Sequence, residues 1–317
     1  MRPVPARWVH RTARWIVIGA LTAIASASTA ACSTAPPTAS AGGNGQTVQV
    51  VAAENFWGSI AAQLGGSHVN VTSIINNPAS DPHDYEATAA DARTFADARY
   101  TIVNGIGYDA WASKLLAAAP ANNRTDLTVG DLLGIKPGGN PHRWYSPADV
   151  HTVIGKITED YKAIDPTDAA YFDQQRATFE NTTLAPYQRL VADIKAKYAG
   201  TPIGASESIV SPLADQLGLP VLTPIGFLNA INEGSDPTAA DKAAIDHQIA
   251  TGQIKVYVFN SQNATPDVRA QVAAAKAKGI PVATVTETLT PAGASFQDWQ
   301  VQQLQAIQQA LATATGK

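Results

Sequence analysis

Two histidines of this chain directly follow a proline among turn-forming residues. His83 lies in Asp81-Pro82-His83-Asp84-Tyr85-Glu86-Ala87-Thr88, and His142 lies in Gly138-Gly139-Asn140-Pro141-His142. Proline fixes its own φ and biases the residue before it towards extended geometry, so a stiff backbone presents each imidazole. A neutral imidazole can bind a transition metal, and it can also act as an acid or base near neutral pH. We therefore expect both histidines to lie in functional loops.

Two glutamates in the second half of the chain occupy comparable positions. Glu207 follows the run Ile203-Gly204-Ala205, and Glu287 follows the run Val282-Ala283-Thr284-Val285. Ligands of open α/β sheets bind outside the carboxyl ends of the strands, so these glutamates and the two histidines could converge in one crevice. Two neutral imidazoles and two carboxylates would balance the charge of a divalent cation, and they suit zinc, manganese or ferrous iron. Calcium would want more oxygens.

The remaining histidines have no comparable setting. They lie in the N-terminal segment or in polar stretches, where we expect solvated surface: His10, His68, His151 and His247. Three polar residues are close enough in sequence to His83 or His142 to orient their rings by hydrogen bonds: Asp84, Glu86 and Asn140.

Short β-branched runs alternate with longer helical patterns from residue 47 onwards. In the first half the runs begin near Val48, Val69 and Tyr100, and the alternation resumes with runs near Ile203, Val221, Val256 and Val282. This alternation predicts an α/β fold of two lobes, each with a mostly parallel sheet covered by helices. The four candidate side chains would then place a metal site in the crevice between the lobes. Thr88 and Asp91 fit a capping box that begins the helix after the His83 loop.

The pattern divides the chain into five segments. These are a signal peptide at 1–32, a flexible tether at 33–46, an N-terminal α/β lobe at 47–164, a linker helix at 165–199 and a C-terminal α/β lobe at 200–317. Asp165-Pro166-Thr167-Asp168 opens the linker helix, and Gly200 stops it. Pro186 lies inside the helical stretch and should kink or interrupt it, since proline removes a hydrogen bond and crowds the previous turn.

The N-terminal segment has the layout of a bacterial secretion signal. It has an arginine-bearing start, an apolar run from Trp15 to about Ala27, and small residues before Cys32. The apolar run is too short to favour a membrane span. A cysteine after small residues resembles a lipobox, in which Cys32 would be acylated and become the mature N-terminus. The alternative is an ordinary secreted protein whose cysteine is incidental. The low-complexity tether could hold a folded body beside a membrane.

Composition excludes several classes of protein and site. The 317 residues are 45% hydrophobic and 15% charged, as in a soluble protein with substantial cores. The net charge of −4 would become about −8 after loss of the four signal arginines, which argues against nucleic acid as a partner. Cys32 and Met1 are the only sulfur-containing residues. Thiolate zinc sites, iron–sulfur clusters and thioether copper sites are therefore excluded from the predicted lobes.

Several motifs occur in order along the chain: Asn55-Phe56-Trp57-Gly58-Ser59-Ile60-Ala61, the segment 81–88, Asn104-Gly105-Ile106-Gly107-Tyr108-Asp109-Ala110-Trp111 and Asn140-Pro141-His142. Together they resemble the metal-binding solute-binding lipoproteins of bacterial zinc and manganese ABC importers, from residue 47 to the C-terminus. The resemblance implies a two-lobed fold bridged by a long helix, with the metal buried between the lobes. It implies four ligands: His83, His142, Glu207 and Glu287. It also implies a non-enzymatic, lipid-anchored monomer that delivers zinc or manganese to an importer permease.

The sequence departs from the family pattern at three places. Glu287 is one methylene longer than the usual aspartate, and Arg143, Tyr145 and Ser146 replace the residues that usually follow the second histidine ligand. The histidine-rich loop that often lies between the first two ligands of zinc-scavenging members has no counterpart around residues 122–127. Its absence favours manganese, or zinc without a collecting loop.

Two other functions stay open at the level of sequence. A secreted metal-dependent hydrolase would need an open coordination position and a nearby general base, yet there is no H-E-x-x-H helix and all four candidates would be ligands. A serine hydrolase has little support, because Gly204-Ala205-Ser206-Glu207-Ser208 lacks the final glycine of a nucleophile elbow. The other function that stays open, besides the metal-dependent hydrolase, is an adhesin whose metal is structural. The sequence has no Walker loop, so the ATPase of an importer would be another chain.

Overall fold

A computed structural model describes residues 47–78 and 85–317. The predicted signal peptide, Cys32, the tether and His83 lie outside the described residues. The described residues form seven strands: β1 (Val48–Glu54), β2 (Val69–Ile75), β3 (Tyr100–Val103), β4 (Thr125–Thr128), β5 (Ile203–Ala205), β6 (Val256–Asn260) and β7 (Val282–Val285).

The same part of the chain contains twelve α-helices. They are α1 (Asn55–Gly65), α2 (Ala89–Asp97), α3 (Ala110–Ala118), α4 (Val129–Leu132), α5 (Pro147–Ile164), α6 (Ala169–Thr178), α7 (Ala185–Tyr198), α8 (Ser211–Leu217), α9 (Ile225–Asn232), α10 (Ala239–Thr251), α11 (Pro266–Ala277) and α12 (Phe296–Thr315). None of these helices is both long enough and apolar enough to cross a membrane.

The strands form two parallel sheets, in the order β2-β1-β3-β4 and β5-β6-β7. In the first sheet Val50 lies opposite Val71 on one side and Tyr100 on the other, and in the second Val258 lies between Ala205 and Ala283. Buried residues dominate β1, β3 and β6, as expected for parallel strands covered on both faces. The predicted α/β class with parallel sheets is confirmed, and the carboxyl ends of each sheet's strands lie at one edge.

The capping box at the start of α2 is also confirmed. The hydroxyl of Thr88 accepts the N–H of Asp91 at 3.3 Å, and the carboxylate of Asp91 accepts the N–H of Thr88 at 2.7 Å. These bonds satisfy backbone donors that the first turn of a helix leaves without partners.

Two strand predictions differ from the structure. β4 was not predicted from the sequence, because Thr125–Thr128 has only one fully buried side chain. It pairs with β3, and the hydroxyl of Thr101 donates to Asp126 at 2.6 Å. The predicted strand at Val221 is reduced to a single bridge with Ile203. Prolines at 220 and 224 flank it, and proline cannot donate to a sheet.

The predicted linker stretch is helical but interrupted. A π-helical segment, Phe179–Thr183, separates α6 from α7, and Leu184 donates to the carbonyl of Phe179 at 2.8 Å. Pro186 then lies in the first turn of α7, where a missing N–H costs little. The chain therefore accommodates Pro186 by ending one helix and beginning another.

The largest hydrophobic cluster is continuous between the two sheets. It includes Val50 of β1 and Val258 of β6, together with Phe56 and Trp144, whose rings stack with centroids 3.8 Å apart. Trp144 follows His142 by two residues, so this packing fixes the loop that carries the histidine. The loop that carries His142 is thus supported by a hydrophobic cluster with residues from both sheets.

Candidate metal centre

Three of the four predicted ligands lie together at the carboxyl ends of the strands. Each of His142, Glu207 and Glu287 offers one ligand atom, and these atoms lie within 4.8 Å of one another. Their side chains are buried, with exposures of 0%, 0% and 1%. His83, the fourth predicted ligand, lies outside the described residues. The three described side chains thus form a group with a composition suited to a divalent transition metal.

The imidazole of His142 is oriented by Asn140. The Oδ1 atom of Asn140 lies 3.0 Å from both the backbone nitrogen and Nδ1 of His142, while its Nδ2 donates to the carbonyl of Ser208 at 2.7 Å. Because an amide oxygen only accepts hydrogen bonds, we assign the ring proton of His142 to Nδ1. The lone pair of the neutral ring then lies on Nε2. Histidine ligands are commonly oriented in this way.

The loop that carries His142 is tied to the first sheet through Asn104, which follows β3. Nδ2 of Asn104 donates to the carbonyl of Pro141 at 3.0 Å, and its Oδ1 accepts the indole N–H of Trp57 at 3.0 Å. Trp57 and Asn104 are both fully buried. The position of His142 therefore depends on α1 and on the end of β3 as well as on its own loop.

The two glutamates share a donor, Asn260, the last residue of β6. Its Nδ2 donates to Glu207 and, at 2.8 Å, to Glu287. Asn263 donates to the other oxygen of Glu207 at 3.3 Å, and the hydroxyl of Tyr108 donates to the other oxygen of Glu287 at 2.8 Å. β6 lies between β5 and β7. Its last residue, Asn260, therefore reaches both Glu207, which follows β5, and Glu287, which follows β7. Neutral donors thus hold both carboxylates in place.

Gln262 fixes the backbone on either side of Glu287. Its Oε1 accepts the backbone N–H of Glu287 at 2.6 Å and that of Thr288 at 3.0 Å. Its Nε2 donates to the carbonyl of Pro78 at 2.7 Å. Gln262 thus holds Pro78, the last described residue before the segment that contains His83, close to Glu287.

Aromatic rings enclose the group and exclude water. The ring centroids of Trp144 and Tyr108 lie 5.2 Å and 6.0 Å from that of His142. Burial raises the pKa of the Tyr108 hydroxyl, and the nearby carboxylate of Glu287 raises it further. Tyr108 therefore keeps its proton and acts as a hydrogen-bond donor to Glu287.

The residues that depart from the family pattern after His142 have structural partners. Arg143 forms an ion pair with Asp149, and the hydroxyl of Ser146 accepts the backbone N–H of Asp149 at 3.3 Å at the start of α5. The hydroxyl of Tyr145 lies 2.7 Å from the carbonyl of Thr286. These residues fix the helix after His142 and the backbone just before Glu287, and so they support the group indirectly.

The sequence analysis missed several residues of the site. Asn260 ends a β-branched run just as Glu207 and Glu287 follow theirs, so the same rule applied to amides would have found it. Tyr108 lies in a motif that carried the family resemblance, but its contact with Glu287 spans 179 residues. Of the predicted orienting residues, Asn140 contacts His142, Glu86 is exposed, and Asp84 lies outside the described residues.

Three other histidines lie away from this group. His151 and His247 are exposed, as expected. His68 is half-buried rather than solvated, because its ring lies 4.1 Å from that of Tyr171 and its Nδ1 lies 2.8 Å from Asp168.

The chain matches the family model described as ZnuA, zinc-uptake complex component A periplasmic, over residues 50–310. It is 25% identical over 137 residues to the manganese-binding lipoprotein MntA of Halalkalibacterium halodurans, covering 41% of this chain and 44% of that protein. It is also 25% identical over 183 residues to the iron-binding protein YfeA of Yersinia pestis, covering 51% and 58%. The chain thus spans about half the length of the curated relatives it matches.

Solved structures share the fold. The Mn-bound periplasmic metal binding protein from Candidatus Liberibacter asiaticus superposes with a TM-score of 0.70 at 18% identity, over 84% of this chain and 100% of that one. A mutant of the laminin-binding adhesin Lmb from Streptococcus agalactiae gives a TM-score of 0.67 at 18% identity, over 83% and 99%. At such identities the likeness shows the fold alone. Because the family model covers most of the sequence, the chain belongs to the family of periplasmic zinc-uptake complex component A, and the resemblance drawn from its motifs is confirmed.

Proposed function

We propose that this protein captures a divalent transition metal ion, zinc or manganese, outside the cytoplasm and delivers it to the permease of an ABC importer. The observation that carries the proposal is the buried group of His142, Glu207 and Glu287, whose side chains are already oriented by hydrogen bonds. Membership of a family of metal-binding transport components supports it. The metal is cargo in this function, so the site must both bind and release it.

The charge of the site supports a divalent cargo. The donors to Glu207 and Glu287 include the amides of Asn260 and Asn263 and the hydroxyl of Tyr108, which are neutral groups and leave the negative charge of the carboxylates in place. Buried carboxylates are costly unless a cation compensates them. A divalent ion bound by two carboxylates and neutral imidazole would cancel the charge of the site.

His83 is proposed as the fourth ligand. Pro78 lies only five residues before it and is held by Gln262, which also holds the backbone of Glu287. An extended chain spans about 3.3–3.6 Å per residue, so five residues reach at most about 18 Å. With His83 the donor set becomes two imidazoles and two carboxylates, which suits tetrahedral zinc, or manganese if a carboxylate binds through both oxygens.

The two sheets are proposed to belong to two lobes, at 47–164 and 200–317, bridged by the helical stretch at 165–199. The protein is further proposed to be a monomer. It is also proposed not to be an enzyme, because all four groups that could act in catalysis would be ligands. In an adhesin with a structural metal, removal of the metal by chelation would unfold or disorder the protein. A receptor is expected to stay folded after chelation and to rebind metal reversibly.

The proposed ligand chemistry predicts a characteristic pH dependence of metal binding. Imidazole binds metal only when neutral and has an unperturbed pKa of about 6.5, whereas carboxylates stay ionised down to about pH 4. A metal that binds only the folded state stabilises it by about 2.7 kcal/mol at a hundredfold excess over Kd. The rise in melting temperature caused by saturating zinc or manganese is therefore expected to shrink as the pH falls below about 6.5. A rise that persists undiminished at about pH 4.5, in wild type and in His83→Ala alike, would exclude histidine ligation.

Anchoring by lipid at Cys32 is also proposed. Cys32→Ala is expected to block lipidation and processing by signal peptidase at that site, because the thiol is the acylated group. Membrane fractionation after labelling with a fatty acid measures the lipidation of the protein and the processing that accompanies it. Wild-type protein that carries no label would contradict the lipoprotein assignment and would leave a secreted protein with an incidental cysteine.

A further inference from the structure

A second acidic pair, which the proposed binding site does not use, lies close to Tyr108. Glu54, the last residue of β1, has an exposure of 0%, and Asp109, which precedes α3, has an exposure of 1%. The two side chains are within hydrogen-bonding reach of each other. Two carboxyl groups are thus buried side by side.

The hydrogen bonds around the pair are unequal. The carboxylate of Asp109 accepts the backbone N–H of Asn104 at 2.6 Å and that of Gly105 at 2.8 Å, one at each oxygen. Among the described residues, no other residue donates a hydrogen bond to either oxygen of Glu54. Its own backbone N–H lowers its pKa, but by less than burial raises it. A contact between two carboxyl groups can be a hydrogen bond only if one of them carries a proton. Because Asp109 is held as an acceptor by two amides, that proton belongs on Glu54.

The charges around the pair also favour placing the proton on Glu54. Among the described residues, the titratable groups that act on Glu54 and Asp109 are each other and, beyond them, Tyr108, which is neutral. Burial, followed by the charge of Asp109, raises the pKa of Glu54 well above its usual value. Burial also raises the pKa of Asp109, to about 6, although its bonds to Gly105 and Asn104 oppose the rise. Two adjacent buried carboxylates with no cation would repel each other strongly.

The loop between Asn104 and Asp109 explains why this pair matters for the site. Gly105, Ile106 and Gly107 all have positive φ, of 73°, 62° and 93°. This region is unfavourable for a β-branched residue such as Ile106, so the loop keeps its shape only if its surroundings impose it. The hydrogen bonds from the backbone of Asn104 and Gly105 to Asp109 impose this shape on the loop. The loop also carries Tyr108, the donor to Glu287.

We propose that Glu54 is a positioning residue of the metal centre: it remains a neutral carboxylic acid at neutral pH and donates its proton to Asp109, which fixes the loop that aims Tyr108 at Glu287. Its effect on metal binding rests on the proposed function, whereas its protonation is a property of the metal-free protein. Glu54→Gln keeps a donor of the same shape without a titratable proton. Glu54→Ala removes the donor altogether.

The protonation is tested on metal-free protein. At pH 7 the infrared spectrum of the wild type is expected to contain the carbonyl stretch of a neutral carboxylic acid, and Glu54→Gln is expected to lack it. The stability that comes from the raised pKa of Glu54 is fully present below the unfolded pKa, about 4.3, and is lost as the pH rises towards the folded pKa. Over this range the unfolding constant of the wild type should increase by up to about tenfold per pH unit relative to Glu54→Gln. The exposed Glu159→Gln is the matched control and should follow the wild type. Absence of the infrared band, or parallel pH profiles, would overturn the assignment.

The positioning role is tested by zinc affinity at pH 7.5, measured by competition with a chelating dye. We expect Glu54→Gln to bind zinc like the wild type and Glu54→Ala to bind it about tenfold more weakly, the lower end of the range for residues that orient ligands. Equal affinities of the two variants would overturn the positioning role. If the wild type itself bound no zinc, the proposed function would fail, while the infrared and stability measurements would still decide the protonation of Glu54.

Discussion

Replacing any one of His83, His142, Glu207 and Glu287 with alanine is expected to lower the affinity for zinc by more than about a hundredfold, beyond the 10–100-fold typical of residues that only orient ligands. Each change removes one of four bonds to the ion. It also removes a hydrogen bond from the former partner, as Asn140 Oδ1 would lose the donor Nδ1 of His142 after His142→Ala. Competition with a chelating dye measures the affinity, and circular dichroism checks that the helices and strands remain.

His151→Ala and His247→Ala are the matched controls for this series. Both histidines are exposed and lie outside the buried group, so both variants are expected to bind zinc like the wild type. A proposed ligand whose alanine variant retained wild-type affinity would have to be removed from the site. Weakened binding in His247→Ala would instead show that zinc binds at the surface.

Changing Asn260 is expected to have the second largest effect, because its side chain donates to both Glu207 and Glu287. Hydrogen bonds to charged groups contribute about 1.5–3 kcal/mol each, so losing both in Asn260→Leu should reduce the stability of the metal-free protein by about 3–6 kcal/mol. It should weaken zinc binding by about 10–100-fold, since the carboxylates lose the group that holds them. Denaturant unfolding and dye competition measure the two effects.

Asn260→Asp separates the loss of a donor from the addition of a charge. A third buried carboxylate would raise the pKa values of this acidic group, so the folded state would bind extra protons and its stability would fall as the pH rises. Saturating zinc should recover part of this loss by compensating the charge. Asn263→Ala is the control, because Asn263 contacts only Glu207 of the pair, at 3.3 Å. Equal effects of the variants at 260 and 263 would contradict the bridging role of Asn260.

Local features of the sequence were sufficient for the class of fold and for most of the proposed ligands. β-Branched runs and helical patterns depend on the two periodicities of strands and helices, and so they identified the parallel α/β organisation. The capping box of Thr88 and Asp91 involves neighbours three residues apart, which sequence spacing can predict. Glu207 and Glu287 were recognised because each follows a β-branched run, and His142 because it follows a proline in a glycine-rich turn.

Two features of the fold, β4 and the π-helical segment, could not be predicted from local patterns in the sequence. The segment that forms β4 has only one fully buried side chain, so its pairing with β3 depends on the partner strand rather than on its own periodicity. The linker stretch contains a π-helical segment before Pro186, a detail that depends on how the two helices pack. Proline predicted an interruption there, but not its form.

The partners of the site residues were decided by tertiary structure alone. Asn260 bridges two glutamates because β6 lies between β5 and β7, and Tyr108 reaches Glu287 from a loop 179 residues away. The contact of Glu54 with Asp109 likewise joins the end of one strand to the loop after another. Sequence periodicity specifies which face of an element is buried, but strand order and loop conformation determine which side chains meet at the ends of the strands. The sequence by itself therefore determined the class of fold and the kinds of side chain proposed as ligands, and the packing of distant segments decided how those side chains are held.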